Sequence, residues 1–406
     1  MKIGQVCPYN IFRAGGVQDH IICLTKELER SGHQVKIIAP KGDDKRKVDN
    51  IILLGRSTKF LFNKTKIELS IAEYDEIHAM LLKEKFDLLH IHEPWVPALT
   101  IQILCECGIA TVGTFHSATT NTMFINSIEK LLKPFAKTIV ESCNQIIAVS
   151  RAAAEYINEI SERKINVIPN GIDLNKFNIK ISPLPKYSNG NIKILFLGRL
   201  DKRKGVIYLI KAFRKLINKY KNIELLIAGD GDEASRIKRY VKNHKIQNIK
   251  LIGYIDEKDK VGLYRTCDIF CSPALYGESF GLVLLEAMAC GKPIVAYAND
   301  GYKTVLKGKG VRLLAKPKSI TELSEKLERL IIDKKLRCEM TRWGLKEVKK
   351  YSWDHITQEI IQVYQKAIKD NINDNRLRKR MKKGKYYKMM FKELFPKLYE
   401  KNKVQK

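Results

Sequence analysis

Asn178-Ile-Lys-Ile-Ser-Pro183-Leu-Pro185-Lys-Tyr-Ser-Asn-Gly190, followed after Asn191 by Ile192-Lys-Ile-Leu-Phe-Leu197-Gly198, decides the fold. The first stretch holds two prolines, polar residues and a closing glycine, the composition of a linker. The second is a near-continuous apolar run ended by glycine, as a strand buried on both faces requires. Before the linker, Lys2–Val6, Gln34–Ala39, Asp87–Ile91, Ala110–Thr114, Gln145–Val149 and Lys164–Ile168 read as strands. A helix over Val17–Arg30, apolar at 21, 22, 24 and 28, follows the first of them. After the linker the alternation restarts, with strands at 192–197, 223–228, 249–253, 268–271 and 293–297 and a helical pattern behind each. Such alternation predicts an α/β protein with two doubly wound, Rossmann-like parallel-sheet domains, 1–178 and 190–350. A ligand is then expected in the cleft between them, at the C-terminal edges of the strands.

Composition bounds the remaining possibilities. The 406 residues exceed what one hydrophobic core organises. An apolar content of 45% and a charged content of 29% describe a globular chain. The nine cysteines are odd in number and scattered, without zinc-site spacing, so buried reduced thiols in a cytoplasmic protein are expected. The start, Met-Lys-Ile-Gly-Gln-Val-Cys, does not read as a signal peptide, and no apolar run approaches the ~18 residues that span a bilayer. The net charge is +30. Residues 376–406 hold thirteen Lys or Arg against Glu393 and Glu400, a net +11, which leaves +19 on the other 375 residues. An excess of this size fits an anionic partner; in the body of the chain a lysine-rich genome explains it equally well.

Within the second half the chain reads Tyr276-Gly-Glu278-Ser-Phe-Gly281-Leu-Val-Leu-Leu-Glu286-Ala-Met-Ala289. The glutamates are eight positions apart, a little over two helical turns, so Glu286 is placed on a helix whose N-terminus faces Glu278. The amides of Phe280, Gly281 and Leu282 are free there to hold an anion. Phosphate on backbone amides beside two carboxylates for hydroxyls is what a sugar nucleotide requires.

Other junctions point to the same cleft. Arg13-Ala-Gly15-Gly16-Val-Gln18 joins the first strand to the first helix, where glycines let backbone approach a ligand; a plain turn is the bland alternative. Gly198-Arg199-Leu-Asp201-Lys-Arg-Lys204-Gly205 brings Arg199 and Lys204 to a strand–helix junction where they could neutralise a diphosphate, against the reading of a solvated charge run. Ala228-Gly-Asp230-Gly-Asp232-Glu-Ala234 fits a dinucleotide fingerprint in an unusual place and reads as a structural turn below a nucleotide, with no metal. His90-Ile-His92-Glu93-Pro94 and Gly113-Thr-Phe115-His116 end two strands beside the cleft. His116 is suited to orient a hydroxyl or stabilise charge, while His92 fits a structural role equally. Val167-Ile-Pro169-Asn170-Gly171 is a turn shaping the hinge, with no chemistry assigned to it.

Together these blocks resemble a retaining glycosyltransferase of family 4, the GT-B fold, over about residues 1–370. Within the family the likeness is strongest to phosphatidyl-myo-inositol mannosyltransferases, through Val6–Tyr9, Gly15–Gln18, His90–Pro94, Phe115-His116 with Thr119-Thr120, and Gly277–Gly281. The resemblance implies catalytic roles for His116, Arg199, Lys204 and Glu278. It implies a donor site of Gly16, Glu257, Phe280, Gly281, Leu282 and Glu286, with the diphosphate held by Arg199 and Lys204 and the base edged by Gly253–Glu257. Tyr9, Gln18 and Thr119 fall on the acceptor side, and a final helix, 352–370, crosses back onto the first domain. Neither cofactor nor dedicated metal is implied, the nucleotide sugar being a substrate.

The implied reaction moves a hexose, mannose from GDP-mannose by preference, to a lipid or glycan such as phosphatidylinositol. A UDP-sugar-dependent transfer to diacylglycerol or to a polysaccharide intermediate is the alternative, ahead of a nucleotide-sugar 2-epimerase or a nucleic-acid-binding protein. The acceptor side departs from the subfamily: Asn10-Ile-Phe-Arg13-Ala14 lacks an acidic residue, Asn121 stands where lysine is expected, and the stretch starting at Glu73 is acidic rather than basic. The tail 371–406 reads as a basic amphipathic segment, with Tyr387, Met390, Phe391, Leu394 and Phe395 at helical spacing. It suits an anionic membrane surface through 376–395, a peripheral place on the inner face of the cell membrane, and no nucleic-acid partner, with a disordered end as the bland reading.

Overall fold

The computed structural model describes residues 1–13, 15–42, 48–62, 65–96, 99–116, 136–187 and 189–372. Thr119, Asn121 and the basic segment 376–395 lie outside the described residues.

The first sheet has seven parallel strands: β1 (Lys2–Val6), β2 (Gln34–Pro40), β3 (Ile51–Leu54), β6 (Leu88–His92), β7 (Ala110–Phe115), β8 (Gln145–Ala148) and β9 (Asn166–Val167). Their spatial order is β3-β2-β1-β6-β7-β8-β9. Between β3 and β6, β4 (Arg56–Phe62) and β5 (Thr65–Ile71) form a separate antiparallel pair. The second sheet orders β12 (Ile249–Gly253), β11 (Ile223–Ala228), β10 (Ile192–Leu197), β13 (Ile269–Ser272), β14 (Ile294–Tyr297) and β15 (Leu314–Ala315), again all parallel. These are two Rossmann-like halves, the GT-B fold.

Strand β10 shows how the sequence drives the layering. Ile194 and Phe196 point to one side, where Leu209, Phe213 and Leu216 cover them; Leu195 points to the other, under Leu284, Leu285 and Met288. The strand is apolar throughout because helices cover both of its faces. The final helix, Trp353–Ile372, buries Trp353, Ile356, Ile360, Tyr364 and Ala367 at helical spacing against Ile3, Val112 and Ile147 of the first sheet and Leu24 of the first helix. The chain recrosses where Ile172 pairs with Ser352, with Ile172 N–H donating to the Tyr351 carbonyl at 2.7 Å. All nine cysteines are free, and burial pushes the Cys7, Cys267 and Cys290 thiols up to about 12.

Most expected elements shift at one or both ends by a residue or two, and four strands were not expected. The first helix begins at Gly16 rather than Val17. The strand expected over 164–168 keeps a ladder only at Asn166–Val167, because it is an edge paired to β8 alone and Pro169 follows it. Strands β3, β4, β5 and β15 were not expected: β3 and β15 are short, and the hairpin's polar residues mask the apolar pattern.

Strand order reverses beside β1 in the first sheet and beside β10 in the second, since β1 lies between β2 and β6 and β10 between β11 and β13. A parallel sheet opens a crevice at such a reversal, at the C-terminal strand ends. Tyr9 and Gly16 follow β1, Glu93 follows β6, His116 follows β7, Arg199 to Lys204 follow β10, and Glu278 follows β13. The motifs therefore gather at the two switch points.

Candidate active site

The helix Leu282–Ala289 starts behind Gly281, whose φ of 113° lies in the left-handed region that favours glycine. No side chain caps this helix; its third amide, Leu284 N–H, donates to the Gly281 carbonyl at 2.9 Å, and the first two remain available to an anion. Phe280 is buried in the core and pins the turn. Gly301 closes the back of the turn: a Cβ there would lie 2.0 Å from the Glu278 carbonyl oxygen. The Glu278 carboxylate accepts from Lys204 Nζ at 2.8 Å and from Arg203, which also donates to the Gly277 carbonyl.

Arg199 is not in that cluster. Its guanidinium is mostly exposed and lies on Asp201, 3.2 Å away. Asp201 also accepts the Lys204 N–H at 2.9 Å and caps the short 3₁₀ turn Lys202–Lys204, which swings Arg203 and Lys204 together onto Glu278. Arg203 is a residue that reading the basic run did not single out. In a 3₁₀ turn three successive cations face different ways, so their order along the chain does not reveal which ones meet the carboxylate.

Glu286 is buried and accepts from Lys260 Nζ and from the Tyr264 hydroxyl, each at 2.7 Å. Burial alone would lower the Lys260 amine, but Glu286 and then Glu257 outweigh it and hold the amine above its usual range. Burial, reinforced by Glu286, pushes the Tyr264 hydroxyl well up, so it stays a donor. Glu257 opens the helix Glu257–Thr266 and pairs with Lys176 at 2.7 Å and Lys260 at 3.5 Å. Burial would raise its carboxyl; the two lysines hold it below the usual range. Asp19, on the helix of the first domain, is raised by burial and by the charge of Glu257. Lys260 and Tyr264 were not foreseen, because a lone lysine or tyrosine in a helical pattern carries no local signal.

On the first domain, Gly16 opens the helix Gly16–Arg30 with nothing within 4 Å of where a side chain would start. That empty space sits at a helix N-terminus. Gln18 is buried, reaching the Asn10 carbonyl at 3.4 Å, and Tyr9 packs beside Cys7 and Ile11. Burial, then the charge of Glu93, pushes the Tyr9 hydroxyl up. The His116 amide donates to the Glu93 carboxylate at 2.9 Å, and Glu93 itself sits at φ 47°, an uncommon conformation for a non-glycine residue.

His116 belongs to a larger buried group. His92 Nδ1 lies 3.0 Å from His116 Nε2, and His92 Nε2 lies 2.7 Å from Gln5 Oε1. Gln5 donates to the Tyr364 hydroxyl at 3.1 Å, and that hydroxyl lies 2.7 Å from His90 Nδ1. His20 packs edge-on against His116 with ring centroids 4.7 Å apart, and its Nδ1 lies 2.9 Å from Asn170 Oδ1. The turn read only as a hinge thus supports His20. Burial first, and the neighbouring imidazoles second, keep His90, His92 and His116 neutral, and burial pushes His20 down to about 4.

Asp230 accepts from its neighbour Gly231 N–H at 2.8 Å, consistent with a structural turn. Beside it lies a cavity of about 260 Å³ lined by Leu200, Asp230, Ala234, Lys238, Leu251 and Gly253, at the C-terminal ends of β11 and β12.

The second domain thus sets Lys204 and Arg203 on Glu278 just ahead of an uncapped helix, and the first domain leaves open space at Gly16. The model of "Glycosyltransferase Family 4" matches residues 14–176, and that of "Glycosyl transferases group 1" matches 180–346. The chain belongs to the family 4 glycosyltransferases and is a glycosyltransferase enzyme. It is 31% identical over 368 residues to the phosphatidyl-myo-inositol mannosyltransferase of Mycobacterium leprae, covering 90% of this chain and 96% of that one. It is 26% identical to the phosphatidylinositol N-acetylglucosaminyltransferase GPI3 subunit of Saccharomyces cerevisiae, covering 89% and 82%. A solved glycosyltransferase of Rickettsia africae superposes with a TM-score of 0.74 at 21% identity, covering 91% and 98%. Among the described residues no helix is long and apolar enough to cross a membrane.

Proposed function

We propose that this enzyme transfers a mannosyl residue from GDP-mannose to the inositol of phosphatidylinositol, with retention of anomeric configuration. The observation that carries the donor half is Glu278 held by Lys204 and Arg203 in front of an uncapped helix. In this reading the donor's diphosphate lies on the amides of Phe280, Gly281 and Leu282, against the open backbone at Gly16. Lys204 and Arg199 balance the charge that develops as the nucleoside diphosphate leaves. Glu278 accepts hydroxyls of the transferred sugar, Glu286 those of the ribose, and the Gly253–Glu257 segment edges the base beside the cavity. His116 meets the sugar, Tyr9 and Gln18 line the acceptor side, and Thr119 is assigned to the acceptor by the resemblance alone. The incoming hydroxyl attacks from the face the diphosphate leaves, and it gives up its proton to the departing phosphate.

The names of the two relatives support the acceptor: one is a mannosyltransferase and the other an N-acetylglucosaminyltransferase, yet both names carry phosphatidylinositol. The basic segment 376–395 suits an anionic membrane that presents this lipid. The reading needs no cofactor. Transfer from a UDP-sugar to diacylglycerol is the second reading, favoured by the departures at Asn10–Ala14 and Asn121.

The test incubates the full chain with GDP-mannose, UDP-glucose or UDP-N-acetylglucosamine and vesicles containing phosphatidylinositol or diacylglycerol. Mannosylated phosphatidylinositol is the expected product. A glycosylated diacylglycerol from a UDP-sugar selects the second reading, and donor epimerised in the absence of acceptor removes both.

A further inference from the structure

We propose that His20, His92 and His116 form a site for one divalent transition-metal ion of the zinc class, and that the ion, once bound, withdraws His116 from the donor site. Among the described residues these three present one ring nitrogen each within 4.8 Å of one another. Zinc binds imidazole at ~2.0–2.1 Å in tetrahedral geometry. Two of the three nitrogens, His92 Nδ1 and His116 Nε2, already lie 3.0 Å apart. A tetrahedral site spaces its nitrogens ~3.4 Å apart, so the His20 ring must close in from within the 4.8 Å span.

The outer hydrogen bonds set the tautomers that metal binding requires at His20 and His92. His116 Nε2 donates its proton to His92 Nδ1 before the ion binds, and that proton moves to the His116 Nδ1 or is released on binding. Asn170 Oδ1 only accepts, so His20 carries its proton on Nδ1 and leaves the Nε2 lone pair facing the other imidazoles. That Nε2 is buried and has no hydrogen-bond partner. The Gln5 amide is oriented by its donation to the Tyr364 hydroxyl, so its oxygen accepts from His92 Nε2 and leaves the His92 Nδ1 lone pair directed at His116. Amide oxygens fixing the far nitrogens of imidazoles is the usual outer shell of a histidine metal site. The buried Glu93 carboxylate, bonded to the His116 amide at 2.9 Å, adds negative charge beside it. His20 and His92 are buried and His116 is partly exposed, so a fourth ligand such as water can reach the ion on the His116 side.

The loss of His116 to the ion rests on the transferase reading; the binding itself does not. The experiment titrates metal-free full-length protein with Co(II) and reads the visible spectrum, then displaces the cobalt with Zn(II). One equivalent giving the intense bands of four-coordinate cobalt, without thiolate charge transfer, is expected. His20→Ala and His92→Ala, each checked for folding by circular dichroism, should weaken binding by at least ~10-fold. An absent saturable signal, thiolate bands from the cysteines, or undiminished affinity in folded His20→Ala overturns the site. Zn(II) should inhibit transfer in step with cobalt-measured occupancy. Full transfer at full occupancy overturns the regulatory half alone, whereas cobalt binding in a protein inactive when metal-free supports the site and counts against the transferase reading.

Discussion

The Lys204 amine lies 2.8 Å from the Glu278 carboxylate, although the two residues come from different strand–helix junctions of the second sheet. In the proposed reading, a carboxylate that receives sugar hydroxyls and a cation that receives a diphosphate hold each other in place before substrate arrives. Donor binding then exchanges one set of charge partners for another.

Lys204→Ala should therefore lower kcat for transfer by ~10²–10³, the usual effect of removing a charge-stabilising donor. Its melting temperature should stay within a few degrees of the parent's, because Arg203 still pairs with Glu278. Steady-state kinetics with GDP-mannose and a thermal melt check both halves. A kcat within threefold of the parent's would remove Lys204 from the leaving-group role.

Glu286→Gln should raise the donor KM and cost ~1–3 kcal/mol of stability, since Lys260 and Tyr264 lose a charged partner in a buried place. Urea unfolding of the pair Glu286→Gln and Lys260→Met measures the coupling. Additive effects would show that the two residues act independently.

Gly301→Ala should cost ~1–3 kcal/mol by overpacking against the Glu278 carbonyl. Donor binding should suffer beyond that, because the turn carrying Glu278 must shift. Isothermal titration with GDP, compared with Gly308→Ala, where a φ of 52° strains the backbone away from the site, separates the two effects; equal GDP affinity in both variants would contradict it.

Glu84 predicts a pH dependence. Burial would raise its carboxyl, but hydrogen bonds and charges from Lys2 and Lys36, at 2.9 and 3.0 Å, hold it below the usual range. A folded-state pKa below the unfolded one gives stability that is complete above the unfolded value and is lost as pH falls through the folded value. Glu84→Gln should thus cost ~1 kcal/mol at pH 7, with the difference from the parent shrinking below ~pH 4. Chemical unfolding at pH 7 and pH 3.5 measures it, and a difference that grows on acidification would contradict the assignment.

The two parallel sheets were legible because apolar strand runs such as Ile192–Leu197 alternate with amphipathic helices, a pattern set by local periodicity. Glu278 and the helix behind it were legible for the same reason, as spacing along one helix is fixed by its pitch. The partners were not. Arg203 reaches Glu278 only through the 3₁₀ turn capped by Asp201, and Lys260 and Tyr264 reach Glu286 from the preceding helix. The histidine group is less legible still: His20, His92 and His116 come from three separate elements, and their polar support from Gln5, Asn170 and Tyr364 spans most of the chain. Tertiary adjacency of this kind leaves no trace in periodicity.

The most direct measurement is mass spectrometry and NMR of the lipid formed from GDP-mannose and phosphatidylinositol vesicles by the parent and by Glu278→Ala. The account predicts an α-linked mannosyl-phosphatidylinositol from the parent and at least ~100-fold less from the variant. A β-linked product, or undiminished turnover in Glu278→Ala, would contradict it.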